Sequence, residues 1–137
     1  MRQAVGIVGR SVRILSSQSD SYLEFFGLEG DDFGAAFRIG DARIGLRVWC
    51  GDGGGPLVEL FRSIARDWRG WDEPRSWRSR EGGLRLTCTS DRLGHVTLEV
   101  TMTGFEKPEP WRFAATLVVD PGQLDRIANE VQEFFSA

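Results

Sequence analysis

Phe33-Gly-Ala-Ala-Phe-Arg-Ile-Gly-Asp-Ala-Arg-Ile-Gly-Leu-Arg-Val-Trp-Cys50 is the stretch on which the fold turns. Apolar residues alternate with small or charged ones on both sides of Gly40-Asp41, a dipeptide suited to a two-residue hairpin turn. Closing that turn pairs Ile39 with Ala42, which sets Phe37 opposite Ile44, Ala35 opposite Leu46 and Phe33 opposite Val48. One face of the hairpin is then apolar throughout. The other carries Arg38, Arg43 and Arg47, with Arg38 and Arg43 directly opposite each other. Like charges so placed are mildly unfavourable, so an acid is expected above them, and Glu24 is the nearest candidate.

Upstream, Val12 to Leu15 and Tyr22 to Leu28 read as further strands. Downstream, Gly51-Asp-Gly-Gly-Gly55 breaks the sheet and Pro56 opens a helix, since its missing N–H costs nothing in a first turn. Leu57, Leu60, Phe61, Ile64, Ala65 and Trp68 follow at helical spacing, so Trp68 is expected to close the buried face, with Gly70 as the stop. Leu84 to Ser90 and His95 to Thr103 then alternate strictly around Asp91-Arg-Leu-Gly94. Matching their apolar phases sets Leu86 opposite Leu98 and Cys88 opposite Val96, which brings Arg85 opposite Glu99. Trp111, Phe113, Ala115, Leu117 and Val119 supply one more strand. Asp120-Pro-Gly-Gln123 starts a closing helix, with Leu124, Ile127, Ala128, Val131, Phe134 and Phe135 as its buried stripe.

The fold class is therefore α+β, a mainly antiparallel sheet with one helix inserted mid-chain and a C-terminal helix packed on it. Alternation alone leaves one curved sheet and two packed layers both open. No internal repeat is evident in the sequence. A chain of 137 residues is the size of a single domain, 1–137, and its 41% hydrophobic and 27% charged residues exclude disordered, collagen-like and coiled-coil classes. No apolar run is long enough for a membrane helix, and Met1 to Ser16 lacks the apolar core of a signal peptide. Cys50 and Cys88 fall on strand phases that suit reduced, buried thiols, so a cytoplasmic setting is expected.

A net charge of −3 defines no partner class, but its distribution is uneven: Asp20 to Asp32 holds acids and no base, whereas Arg62 to Arg80 is basic overall. Within the latter, Arg66-Asp-Trp-Arg-Gly-Trp-Asp-Glu-Pro-Arg-Ser-Trp-Arg-Ser-Arg80 contains three of the five tryptophans. Trp71 and Trp77 suit buried corners. If exposed beside Arg69, Arg75 or Arg78, they have the composition of a protein-binding hot spot. The same segment could stack on bases, but Asp67, Asp72, Glu73, Glu81 and an acidic pI near 5.2 argue against nucleic acid.

His95 is the sole histidine, and with Asp91 or Glu99 it forms the alternative, small-molecule site. No strained nucleophile turn of the Gly-x-Ser-x-Gly type accompanies it. One His and two separated Cys are too few for a structural zinc site, and the glycine loop lacks the Lys-Ser/Thr ending of a phosphate loop, so neither metal nor cofactor is signalled. Asp31-Asp32 and Asp72-Glu73 read as solvated turn residues.

Arg47-Val-Trp49, Trp68-Arg-Gly-Trp71, Trp77, Glu81-Gly-Gly-Leu-Arg-Leu86, Asp91-Arg-Leu-Gly-His-Val96 and Asp120-Pro-Gly-Gln-Leu124 together resemble an actinobacterial family of uncharacterised domains, domain of unknown function 6228. The resemblance spans Arg43 to Phe135 and implies no activity, ligand or functional residue. The layout is also similar to small toxin-immunity proteins, an architectural likeness that does not fix function. The expected role is a non-catalytic domain that binds a protein, by neutralising a bacterial toxin or docking an acidic partner. A small His95 enzyme and an oligomerising structural protein are the alternatives.

Overall fold

In the computed structural model, residues 10–136 are described. The expected absence of a leader in Met1 to Ser16 therefore falls largely outside the described residues. Four strands, β1 (Ser11–Leu15), β2 (Tyr22–Glu29), β3 (Asp32–Ile39) and β4 (Ala42–Trp49), form an antiparallel sheet in sequence order, and helix α1 (Gly55–Arg66) follows. Strands β5 (Arg75–Arg78), β6 (Leu84–Ser90), β7 (Val96–Gly104) and β8 (Trp111–Val119) repeat that order in a second sheet. A short 3-10 turn (Pro121–Gln123) then leads into α2 (Leu124–Phe135). Two sheets, rather than one curved sheet, resolve the open alternative. The fold is α+β and is made of two successive units of four strands and a helix, a repeat the sequence does not display.

The β3–β4 hairpin has the register that its tight turn dictates, with Phe37 opposite Ile44, Phe33 opposite Val48 and Arg38 opposite Arg43. The β6–β7 hairpin does not. Leu86 faces Val100 and Cys88 faces Leu98, two residues away from the expected pairing. The cause is the turn. Asp91 Oδ1 accepts the backbone N–H groups of Leu93 at 2.8 Å and His95 at 2.9 Å, and Asp91 N donates to His95 O at 3.0 Å, so the strands close beyond His95. A slip of two preserves which face is inward, so the apolar pattern tolerates it. It changes the cross-strand neighbours, however: Arg85 lies opposite Thr101, and Glu99 opposite Thr87.

Both inner sheet faces and both helices share one core. Phe25, Phe33 and Phe61 are buried within it, and Phe134 and Phe135 meet Phe33 edge-on at centroid distances of 6.3 and 5.1 Å. Each fully buried Phe or Leu contributes about 1.5–3 kcal/mol. Helix α1 buries Leu57, Leu60, Phe61, Ile64 and Ala65 as its spacing requires. It ends at Arg66, two residues short of Trp68. Trp68 therefore lies in the following loop, 49% exposed, and the expectation that it completes the core is corrected.

The two helices begin differently. Gly54 caps α1 in the left-handed region at φ 77°, and a Cβ there would come within 2.5 Å of the Phe135 ring. Before α2, Gln123 Oε1 accepts the N–H of Asp120 at 2.9 Å, while Gln123 Nε2 donates to Leu15 O at 3.1 Å. That glutamine fastens the second helix start to β1 of the first sheet. No helix among the described residues is long and apolar enough to cross a membrane.

Candidate partner-binding surface

The Arg66 to Arg80 segment divides between core and solvent. Arg75 is structural: it donates to Ser63 O at 3.0 Å and to Asp67 Oδ2 at 2.7 Å, and its guanidinium lies 4.8 Å from the Trp71 ring centroid. It thereby adds a second donor to a carbonyl of the last α1 turn that already accepts the Asp67 N–H, and locks the loop onto β5. Trp71 is half-buried, with its Nε1 buried and unpartnered. Trp77 is half-buried on the inner phase opposite Leu86 and packs against the core. Arg69 and Arg78 are exposed, but in different places. Arg69 stacks on Trp68 at 5.0 Å in the loop, and Arg78 lies on the outer face of β5. Of the five residues expected to form one patch, Trp71, Arg75 and Trp77 lie half-buried, with Arg75 stacked on Trp71, while Arg69 is in the loop and Arg78 on the opposite phase of β5 from Arg75 and Trp77.

His95 sits between two carboxylates, its Nδ1 3.2 Å from Asp91 Oδ2 and its Nε2 3.7 Å from Asp120 Oδ1. Partial desolvation pushes the Asp91 carboxyl upward, but hydrogen bonds from the His95 and Leu93 backbones and from the imidazole outweigh it and hold it below the ordinary range. Ser17 Oγ bonds Asp120 Oδ1 and Val118 O, both at 3.1 Å, so the hydroxyl addresses the carboxylate rather than the imidazole. Glu99 forms no ion pair with His95 among the described residues. The geometry ties the β6–β7 turn to the start of α2. Among the described residues there is no cluster of three or more His, Cys, Asp or Glu side chains able to hold a metal ion.

A third region has a richer surface. On the outer face of the first sheet the residues alternate with the core positions: Arg13 from β1, Tyr22, Glu24, Phe26 and, past a bulge, Glu29 from β2, Asp32, Gly34, Ala36 and Arg38 from β3, and Arg43, Gly45, Arg47 and Trp49 from β4. Small residues floor its centre, and the Phe26 ring lies over Gly34, where a Cβ would meet it at 2.5 Å. Arginines crown the aromatics. Arg13 lies 4.6 Å from the Tyr22 centroid, Arg43 5.2 Å from Phe26, and Arg80, from the loop after β5, 5.2 Å from Trp49. Glu24 is the acid expected over the Arg38–Arg43 pair. It stands 3.3 Å from Arg13 and 4.0 Å from Arg43, and its side chain is only 12% exposed.

The family model described as "Family of unknown function (DUF6228)" matches residues 14–137. The chain belongs to that family. Membership extends well upstream of Arg43, where the sequence resemblance begins, and takes in β2, β3 and the end of β1 from Ile14. No curated protein matches the chain. A solved structure titled "Crystal structures of trypanosoma bruciei MRP1/MRP2" is similar in fold, with a TM-score of 0.51 and 14% identity, over 90% of this chain and 81% of that one. At that identity the likeness concerns the fold alone.

For this DUF6228 member, the outer-face aromatics were the residues sequence reading passed over. The signal was present. Tyr22 and Phe26 occupy the solvent phase of a strand whose other phase, Leu23 and Phe25, is fully buried. An aromatic on the wet side of an alternating strand is a surface feature that the period of two makes visible.

Proposed function

We propose that the protein is a non-catalytic binding domain that docks an acidic protein segment across the outer face of its first sheet. The observation that carries this reading is the arginine cluster of that face: Arg13, Arg38, Arg43 and Arg47 surround a small-residue floor, with the acid Glu24 among them and the acids Glu29 and Asp32 set apart at the Trp49 end. The Arg-crowned rings of Tyr22, Phe26 and Trp49 add flat, rigid contact area of the kind that dominates binding hot spots. Neutralising a bacterial toxin through such a face is the immunity-like form of the same proposal.

A single-stranded nucleic acid is the second reading, favoured by those same rings, since bases stack on aromatic platforms flanked by arginine. The net charge of −3 sets the order of the two, because a long polyanion is repelled by the rest of the molecule while a short acidic segment meets only the basic face. Titrating a fluorescein-labelled poly-glutamate peptide and a labelled oligo(dT) into wild type and Arg43→Glu/Arg47→Glu tests both. The peptide is expected to bind wild type and to lose at least about tenfold in affinity with the double variant, corresponding to ~1.4 kcal/mol. Equal affinity for both proteins would remove the first-sheet face from consideration. Selective loss of oligo(dT) binding would transfer the face to nucleic acid.

A further inference from the structure

The outer face of the second sheet holds a separate cluster of cations. The register places Arg78 opposite Arg85, Arg85 opposite Thr101, and Thr103 opposite Arg112. These residues and Gly82 line one pocket of about 180 Å³, and none of the lining residues is acidic. No ion pair among the described residues involves Arg78, Arg85 or Arg112. None of the nearby acids lines this pocket: Glu99 is on the same outer face one pair along, opposite Thr87, Glu81 lines the cleft beside Gly45 and Trp111, and Asp52 lines a neighbouring cleft that Arg78 borders from its other side.

The pocket is held in shape by the β5–β6 turn. Ser79 N donates to Leu84 O at 2.8 Å, the Leu84 N–H returns to Ser79 Oγ at 3.1 Å, and Gly82 N donates to Ser79 O at 2.9 Å. Thr103 N is fixed on Gly83 O at 2.8 Å. Two arginines directly across a strand pair repel each other, a cost that an anion between them reverses. Three guanidinium forks and two hydroxyls offer more donors than the two oxygens of a carboxylate can use, and they match the three or four oxygens of a phosphate group.

We infer that Arg78, Arg85 and Arg112, with Thr101 and Thr103, form a binding site for a phosphate group, either free inorganic phosphate or a monoester on a small molecule. The site is distinct from the first-sheet face, and neither depends on the other. Calorimetric titration of the whole chain with inorganic phosphate and with glycerol 3-phosphate, in chloride buffer of matched ionic strength, tests it alongside thermal melts of Arg85→Gln and Arg112→Gln.

Saturable binding of either probe to wild type is expected, weakened at least about tenfold in each variant. Arg85→Gln should also melt at or above the wild-type temperature without ligand, because the repulsion is gone. A monoester bound at least tenfold more tightly than inorganic phosphate would identify the ligand as esterified, and equal affinities would identify the free ion. No saturable binding of either probe, or binding unchanged in both variants, would overturn the site.

Discussion

In the first sheet, Gly40-Asp41 leaves the β3–β4 hairpin only one way to close, and the outer face that results mixes arginine with Tyr22, Phe26 and Trp49. In the second sheet, the β6–β7 turn runs from Asp91 to His95, and the outer face is built from Thr87, Thr97, Thr101, Thr103 and Thr116 with three arginines at one end. The same topology thus carries two different surfaces. Inner positions are constrained by a shared core, whereas outer positions answer only to solvent and to whatever binds there. What the contrast teaches is that the two halves are equivalent in folding and not in surface chemistry.

The largest effect is expected from removing a core side chain in each half. Phe33→Ala should cost about 3–5 kcal/mol and Leu98→Ala about 2–5 kcal/mol. Because both residues belong to one core, urea unfolding followed by tryptophan fluorescence and by circular dichroism should show a single coincident transition in each variant. Separate transitions for the two probes would mean that the halves are independent units.

Helix starts sharpen the contrast at intermediate size. Gly54→Ala forces a left-handed backbone and a clash with Phe135, and should cost about 1–3 kcal/mol. Gln123→Ala removes one acceptor and one donor at the second helix start, for about 0.5–1.5 kcal/mol per bond. A Gly54→Ala denaturant midpoint equal to that of wild type would show that the first helix start tolerates a side chain the geometry forbids.

The smallest effects concern the two thiols, one in each half. Burial pushes the Cys88 thiol up to about 12, and burial together with Asp52 and Asp31 raises Cys50. Cys50 is 8% exposed and Cys88 is fully buried, so Ellman's reagent at pH 8 should label Cys50 first and Cys88 only on unfolding. A raised folded pKa contributes stability that is complete below the unfolded value near 8.5 and is lost as pH rises toward about 12. Cys88→Ala should therefore flatten the decline in denaturant midpoint over that alkaline range, and an unchanged slope would assign the decline to other groups.

How much could be read beforehand depended on the turn. At Gly40-Asp41 the dipeptide and the alternation agree on one pairing, so register, Arg face and even the Glu24 partner were legible. At Asp91 to His95 the alternation admits any even slip, and the carboxylate that captures two backbone N–H groups selects the one found. The short strand β5 was hidden because its Arg-Ser-Trp-Arg composition advertises surface. Its inward Arg75 is satisfied only by Ser63 and Asp67, which no local pattern brings near. Trp68 was misplaced for a related reason: periodicity carries on past the point where the helix stops at Arg66.

The α+β class, the inward phases of the long strands, the buried stripes of both helices short of Trp68 and family membership were set by the sequence alone, because these rest on periods of two and 3.6 residues and on local motifs. Tertiary structure decided the rest. It divided the strands into two sheets, slipped β7 so that Arg85 lies opposite Thr101 instead of Glu99, added β5 so that Arg78 lies opposite Arg85, sent Arg75 inward, and gathered Arg13, Arg38, Arg43 and Arg47 on one open face. Those outcomes depend on contacts between residues far apart in the chain, where only packing and the placement of charge choose among arrangements that hydrophobic periodicity treats as equal.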